Sequence, residues 1–361
     1  MSSTAVIAVG GYSRSGTGRG PGVSLLKLTL EDTRTVPIAE QLAVVDLADP
    51  SFVLWHPDGS LLYALLEGDP TRVVAVRVSA DGRTAEVIGE LGVDGSGGCH
   101  LSFGTDRSTL VIAQYGAGSV VTVRLDADGI PREQIVLDDH RDHSDGEDPH
   151  PHQVVLLPGT EVLAVPDLGL DRVLLYRQDA TGMIDLSGEI PLQRGNGPRH
   201  LAADHESEHL YITCERSGMV ATASRDVLAP QLTRSAAGHR PDPGARAVHR
   251  WSVRSMTPAS TGEGANALSH IELAEEESLL VVANRGPDTL SLLSLAMMRP
   301  QLVAEIEVGA HPRHFTQWGD LILVAAQDGD RIDVLRRTGE RLEVAGEPIP
   351  APSAACLAVR P

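Results

Sequence analysis

Three arginines, a glutamate and a series of histidines stand at matching places along this sequence. His100, His152, Arg199-His200, Ser269-His270 and Arg313-His314 open short apolar runs. Glu67, Asp167, Glu215, Arg285 and Gln327 close others. Arginines hold carboxylate or phosphate through charge-assisted, often bidentate bonds. A glutamate and a histidine beside them can take and return protons. Gathered on one face, the set would form an anion site with acid/base groups. The question is which elements would bring residues so far apart together.

The stretch DPHPHQVVLLPGTEVLAVPDLGLDRVLLYRQ supplies the unit. Apolar runs at 153–157, 161–166 and 172–177 and an outer run at 183–192 are separated by Pro-Gly-Thr, Asp-Leu-Gly-Leu-Asp and Asp-Ala-Thr-Gly. Short β-rich runs with such turn chemistry read as antiparallel hairpins. The unit recurs seven times, as in LLYALLEGDPTRVVAVRV, LVIAQYGAGSVVTVRL, HLYITCERSGMVATASR and LILVAAQDGDRIDVLRR. First strands are expected to begin at His56, His100, His152, Arg199-His200, Ser269-His270 and Arg313-His314. The N-terminal copy lacks one, and the C-terminal SAACLAVRP can supply it. A period of roughly 50 residues with four strands per unit is the signature of a β-propeller. Pairing of the chain ends would close the ring and remove its exposed edges. The expectation is an all-β, seven-bladed propeller of four antiparallel strands per blade, one domain over 1–361. A long polar loop is expected at about 225–265, in the fifth unit. First-strand starts and second-strand ends would then gather around one mouth of the central channel.

Composition narrows the partners. At 361 residues with 42% hydrophobic content the chain can bury a large core. No apolar run approaches the roughly 18 residues of a membrane span, and the N-terminus does not read as a signal peptide. Cys99, Cys214 and Cys356 are far apart, which suits a reducing cytoplasm and forms no zinc motif. A net charge of −19 opposes nucleic acid and anionic membrane as partners. The glycines at 16–22 lack the Gly-Lys-Ser/Thr ending of a phosphate loop, and no GxGxxG or GxSxG is in context, so no cofactor is expected. The His/Asp-dense loop at 138–152 matches no closed metal motif and reads as solvated, with no metal expected. Each candidate also has a plainer reading. Strand-start histidines can bond backbone between blades, Glu215 and the arginines can be a channel ion-pair network, and Asp167 can anchor a turn.

The chain also resembles the lactonase family of seven-bladed propellers, which includes 6-phosphogluconolactonases and carboxy-cis,cis-muconate cyclases. The resemblance is carried by HPHQ at 150–153, VPDLGLDRV at 165–173, GNGPRH at 195–200, the Glu of YITCER, VANRG at 282–286 and HPRHF at 311–315. It covers essentially the whole chain. LLEGDPTR in the second repeat lacks the usual Asn-Tyr pair, and the fifth carries the insertion. The resemblance implies that His152, Arg199, Glu215 and Arg285 are catalytic or substrate-binding. Arg313, His200, His100, His314 and Gln327 are the accompanying substrate contacts. The expected activity is metal-independent hydrolysis of a small anionic sugar lactone, 6-phosphogluconolactonase-like. Muconate lactonisation or a non-catalytic binding propeller are the alternatives.

Overall fold

The computed structural model describes residues 3–16, 18–31, 36–226, 250–274, 276–297 and 299–361. Seven antiparallel sheets follow one another as the blades of a ring. Blade 1 is built from Ser3–Gly11, Val23–Leu30 and Ile38–Val45, with the C-terminal Ala354–Val359 as its innermost strand. Ile7 faces Val359 and Val9 faces Leu357, so the two chain ends are paired as expected. Blades 2 to 7 start with Pro50–Trp55, Gly98–Phe103, Val155–Leu156, Pro198–Ala203, Ala267–Leu273 and Pro312–Trp318.

The sequence patterns follow from this packing. Second strands such as Leu61–Leu66 and Leu321–Ala326 are buried at every residue, because neighbouring blades cover both of their faces. Fourth strands such as Ala85–Gly92 and Ile38–Val45 border solvent and are largely exposed or half-buried. Adjacent blades share apolar cores. Ile7, Val9 and Leu26 of blade 1 pack with Leu323, Ala325 and Ile332 of blade 7. Each fully buried Val, Leu or Ile among them stabilises by roughly 1.5–3 kcal/mol. The outer hairpins close on Asp-anchored turns. Asp126 accepts the N–H of Asp128 and Ile130, and Gly129 takes the positive φ of 76°.

Two expectations change. His56 does not open a first strand; it follows Pro50–Trp55, at the end of the strand away from the channel mouth, and Ser51-Phe52 hold the position assigned to it. The segment read as a loop at 225–265 lies for 227–249 outside the described residues, but Trp251–Pro258 within it is the outer strand of blade 5, paired with Met219–Arg225. Its alternation is obscured by Ser, Arg and Pro, which is tolerable on a solvent-facing edge.

Each first strand carries an irregularity where it enters the ladder. Pairing skips Ser51, Cys99, Arg199 and Arg313 in blades 2, 3, 5 and 7, and Ser269-His270 in blade 6. Such bulges re-aim side chains. In blade 4 the ladder breaks at Pro151–Gln153, although the His152 N–H still reaches the Pro166 carbonyl. The first strand there is Val155–Leu156, shorter than the expected 153–157.

Candidate active site

Two layers of side chains line the mouth. The first-strand bulge positions hold Cys99, His152, Arg199, Ser269 and Arg313. The residues where second strands exit hold Tyr12, Glu67, Tyr115, Glu215, Arg285 and Gln327. The centre of the cluster is Glu215. Its Oε2 lies 2.9 Å from Arg199 Nε and accepts a hydrogen bond of 2.5 Å from Arg285 Nη2. Arg285 is fixed by donating from Nε to the Ala267 carbonyl, and its Nη1 lies 3.4 Å from His311 Nε2. Arg199 is only 1% exposed, yet neither its Nε nor its Nη1 makes a directed hydrogen bond among the described residues. A buried donor without an acceptor is costly, so one is to be expected where a ligand supplies the acceptor.

The charges agree with this geometry. Burial alone would raise the Glu215 carboxyl, but Arg199 and then Arg285 outweigh it and hold the group below the usual carboxylate value. Glu215 is therefore ionised at neutral pH. Burial, with Arg285 as a nearby like charge, pushes Arg199 down to about 9. Burial and then the charges of Arg199, Arg313 and Arg285 hold His152 well below the ordinary imidazole value, so it is neutral. Two of these guanidiniums, from blades 5 and 6, meet on Glu215 Oε2.

His152 sits 3.9 Å by Nδ1 from Cys99 Sγ and edge-on to the Tyr115 ring at 5.7 Å. Across the mouth, Arg313 covers the Tyr12 ring at 5.3 Å, and the Tyr12 hydroxyl donates to Glu67 Oε2 at 2.8 Å. Gln327 is at the rim, its Nε2 3.3 Å from Asp328 and its buried Oε1 without a partner among the described residues.

His100, His200 and His314 lie one position deeper than the bulge residues. With Phe52 and His270 they form a closed ring. The centroid distances are 4.1 Å for Phe52–His100, 5.7 Å for His100–His200 and 5.1 Å for His200–His270. His270–His314 at 3.9 Å and His314–Phe52 at 6.0 Å complete it. These histidines bond between blades: the His100 Nδ1 receives the Val154 N–H, the His314 Nδ1 receives the Leu357 N–H, and the Nδ1 atoms of His200 and His270 are 2.8 Å apart. Burial holds all four below the usual imidazole value, His270 at about 3. They form a neutral floor beneath the charged layer.

Asp167 belongs to neither layer. It is fully buried, lies 2.7 Å from His140 Nδ1, and accepts the N–H groups of His150, Gly169 and Leu170. His140 Nε2 in turn meets the Tyr176 hydroxyl at 3.0 Å, which donates to Asp138. This network ties the 138–152 loop to blade 4 and carries His152 to the mouth. Its acids and histidines are thereby used up in structure. Among the described residues no group of three or more His, Cys, Asp and Glu is placed to hold a metal ion.

Sequence reasoning passed over Tyr12 and Tyr115, because it sought charge at the strand exits. Their register was the available signal: each directly follows a second strand, as Glu215 does.

The chain as a whole is similar to known proteins. Residues 6–359 match the family described as lactonase, 7-bladed beta-propeller. An uncharacterized protein of Staphylococcus saprophyticus is 24% identical, with 97% of each chain covered. The 6-phosphogluconolactonase of Bacillus subtilis is 23% identical, covering 85% of this chain and 83% of its own. The solved periplasmic gluconolactonase of Pseudomonas aeruginosa shares the fold at a TM-score of 0.84 and 22% identity, with 99% of each chain covered. Among the described residues no helix is long and apolar enough to cross a membrane. The chain thus belongs to the lactonase family of seven-bladed β-propellers.

Proposed function

We propose that this protein hydrolyses a small anionic sugar lactone, with 6-phosphogluconolactone as the leading substrate. The observation that carries the reading is the ionised Glu215 held by Arg199 and Arg285, beside a buried Arg199 guanidinium nitrogen that has no acceptor among the described residues. Both arginines engage Oε2, so Oε1 is left for water. Glu215 takes a proton from that water as its oxygen attacks the lactone carbonyl carbon. Neutral His152 accepts the other hydrogen and orients it. Arg199 donates to the carbonyl oxygen as it becomes an oxyanion, the kind of preorganised donor whose loss costs roughly 10²–10³ in rate. When the ring C–O bond breaks, Glu215 returns the proton to the leaving oxygen. The product acid then ionises to solvent, and no metal enters the scheme. Arg313, opposite, supplies further positive field for the anionic substrate, and Gln327 a rim contact. His100, His200 and His314 shape the floor.

The same groups suit lactone formation by a muconate, but the Bacillus subtilis relative and the Pseudomonas aeruginosa structure are lactonases by name, and that sets the order of testing. The test is the initial rate of 6-phosphogluconolactone hydrolysis above its spontaneous background, run beside a carboxy-cis,cis-muconate. Rapid lactone opening is expected. Turnover of the muconate alone, or of neither, would contradict the reading.

A further inference from the structure

Beside the mouth, between blades 4 and 5, lies a groove of 490 Å³. Arg194 and Arg216 border it, and both are exposed. Neither guanidinium has an ion-pair or hydrogen-bond partner among the described residues, in a chain where acids outnumber Lys and Arg by 49 to 30. The third arginine, Arg172, is already engaged by Glu189 and the Leu170 carbonyl. The acids that share the lining make no ion pair with Arg194 or Arg216, although backbone N–H groups and then the charges of Arg194 and Arg172 hold Glu147 below the usual carboxylate value. Asp171 is spent on the N–H groups of Gly195 and Gly197, each 2.7 Å away. Glu147 accepts the Asp145 N–H, and Asp148, its side chain 87% exposed, lies 3.8 Å from His150 Nε2.

The groove is built to present these cations. Asp171 shapes the Gly195-Asn196-Gly197 turn, and Gly197 has a φ of 64°. A Cβ there would stand 2.8 Å from Arg216 Cγ, so the Arg216 stem lies along the bare glycine backbone. Arg216 directly follows Glu215 in the chain. On the other side, His150 lines the groove and stacks on Tyr115 at 4.3 Å, and Tyr115 meets His152. The groove therefore adjoins the catalytic cluster along two walls.

We infer that this groove receives the phosphoryl group of a phosphorylated sugar lactone, with Arg194 and Arg216 as the specificity-determining residues. The choice of substrate rests on the lactonase reading above. In a six-membered sugar lactone the phosphoryl arm hangs from the ring carbon that bears the leaving oxygen. With the carbonyl at Arg199 and Glu215, that arm leaves the mouth over the Glu215-Arg216 turn. Two unpaired guanidiniums then meet a dianion, the geometry for which arginine is suited.

The test compares the native protein with an Arg194→Ala/Arg216→Ala double variant on 6-phosphogluconolactone and on unphosphorylated gluconolactone. The groove predicts a fall of roughly 10- to 100-fold in kcat/KM for the phosphorylated lactone, mostly through KM. The unphosphorylated lactone, which does not reach the groove, keeps its rate. Equal losses on both lactones, or none on either, would overturn the groove and leave the lactonase reading standing. If the native protein opens neither lactone, that reading fails on its own, and calorimetry with 6-phosphogluconate decides the groove. Binding weakened about tenfold or more in the double variant supports it; equal binding, or none to the native protein, overturns it.

Discussion

Arg199 carries a charge that its surroundings only half answer. Glu215 neutralises it, while burial and the neighbouring Arg285 work against it. Removing one partner of a buried pair costs about 3–5 kcal/mol when it leaves the other charge uncompensated. Here Arg285 still holds Glu215, and burial and Arg285 already work against the Arg199 charge. Arg199→Met is therefore expected to change the thermal midpoint little. Lactone hydrolysis should fall by roughly 10²–10³. Parallel thermal unfolding and initial-rate measurements check this, and a large loss of stability with activity retained would reduce Arg199 to a structural ion pair.

At the scale of strands, the bulge decides which residue does what. Along a regular strand, neighbouring residues face opposite sides, and a one-residue shift exchanges them. The sequence shows Arg199-His200, Arg313-His314 and Cys99-His100 as adjacent pairs, and nothing in the pattern says which member faces the mouth. The skipped pairing assigns the first member to the charged layer and the second to the floor. That is why the seven repeats, the ring closure and the clustering of Arg199, Glu215 and Arg285 were legible, whereas the separation into layers was not. The Asp167–His140–Tyr176 network was equally hidden, because it joins residues whose contact depends on how the 138–152 loop folds back. Asp167→Ala would leave His140 and three backbone N–H groups buried without their acceptor. Breaking a buried pair this way costs about 3–5 kcal/mol. Denaturant unfolding should show that loss, and kcat should fall as well because His152 hangs from the same loop. A loss below about 1 kcal/mol would show the network to be incidental.

The molecule as a whole is closed twice, once around its circumference by the paired chain ends and once across its channel by the histidine floor. The floor makes stability depend on pH. In the unfolded chain these histidines take up protons as the pH falls through about 6.5. In the folded protein burial keeps them neutral, His270 down to about 3. Folded-state values below the unfolded one mean that stability is complete above about 6.5 and declines as the pH drops, by up to about 1.4 kcal/mol per pH unit for each histidine. Urea midpoints at pH 7.5 and 5 should differ markedly, and His270→Phe should flatten the dependence. Equal midpoints would mean that protons enter the floor freely.

The central measurement is the initial rate of 6-phosphogluconolactone hydrolysis by the native protein and by Glu215→Gln, with folding of both verified by circular dichroism. Proton transfer by a positioned side chain contributes about 10²–10⁴-fold. With Glu215 as the base, the variant should lose about that much and keep its seven-bladed fold. A variant that opens the lactone as fast as the native protein would contradict the mechanism and leave the Arg199–Glu215–Arg285 cluster as an ion pair of the channel.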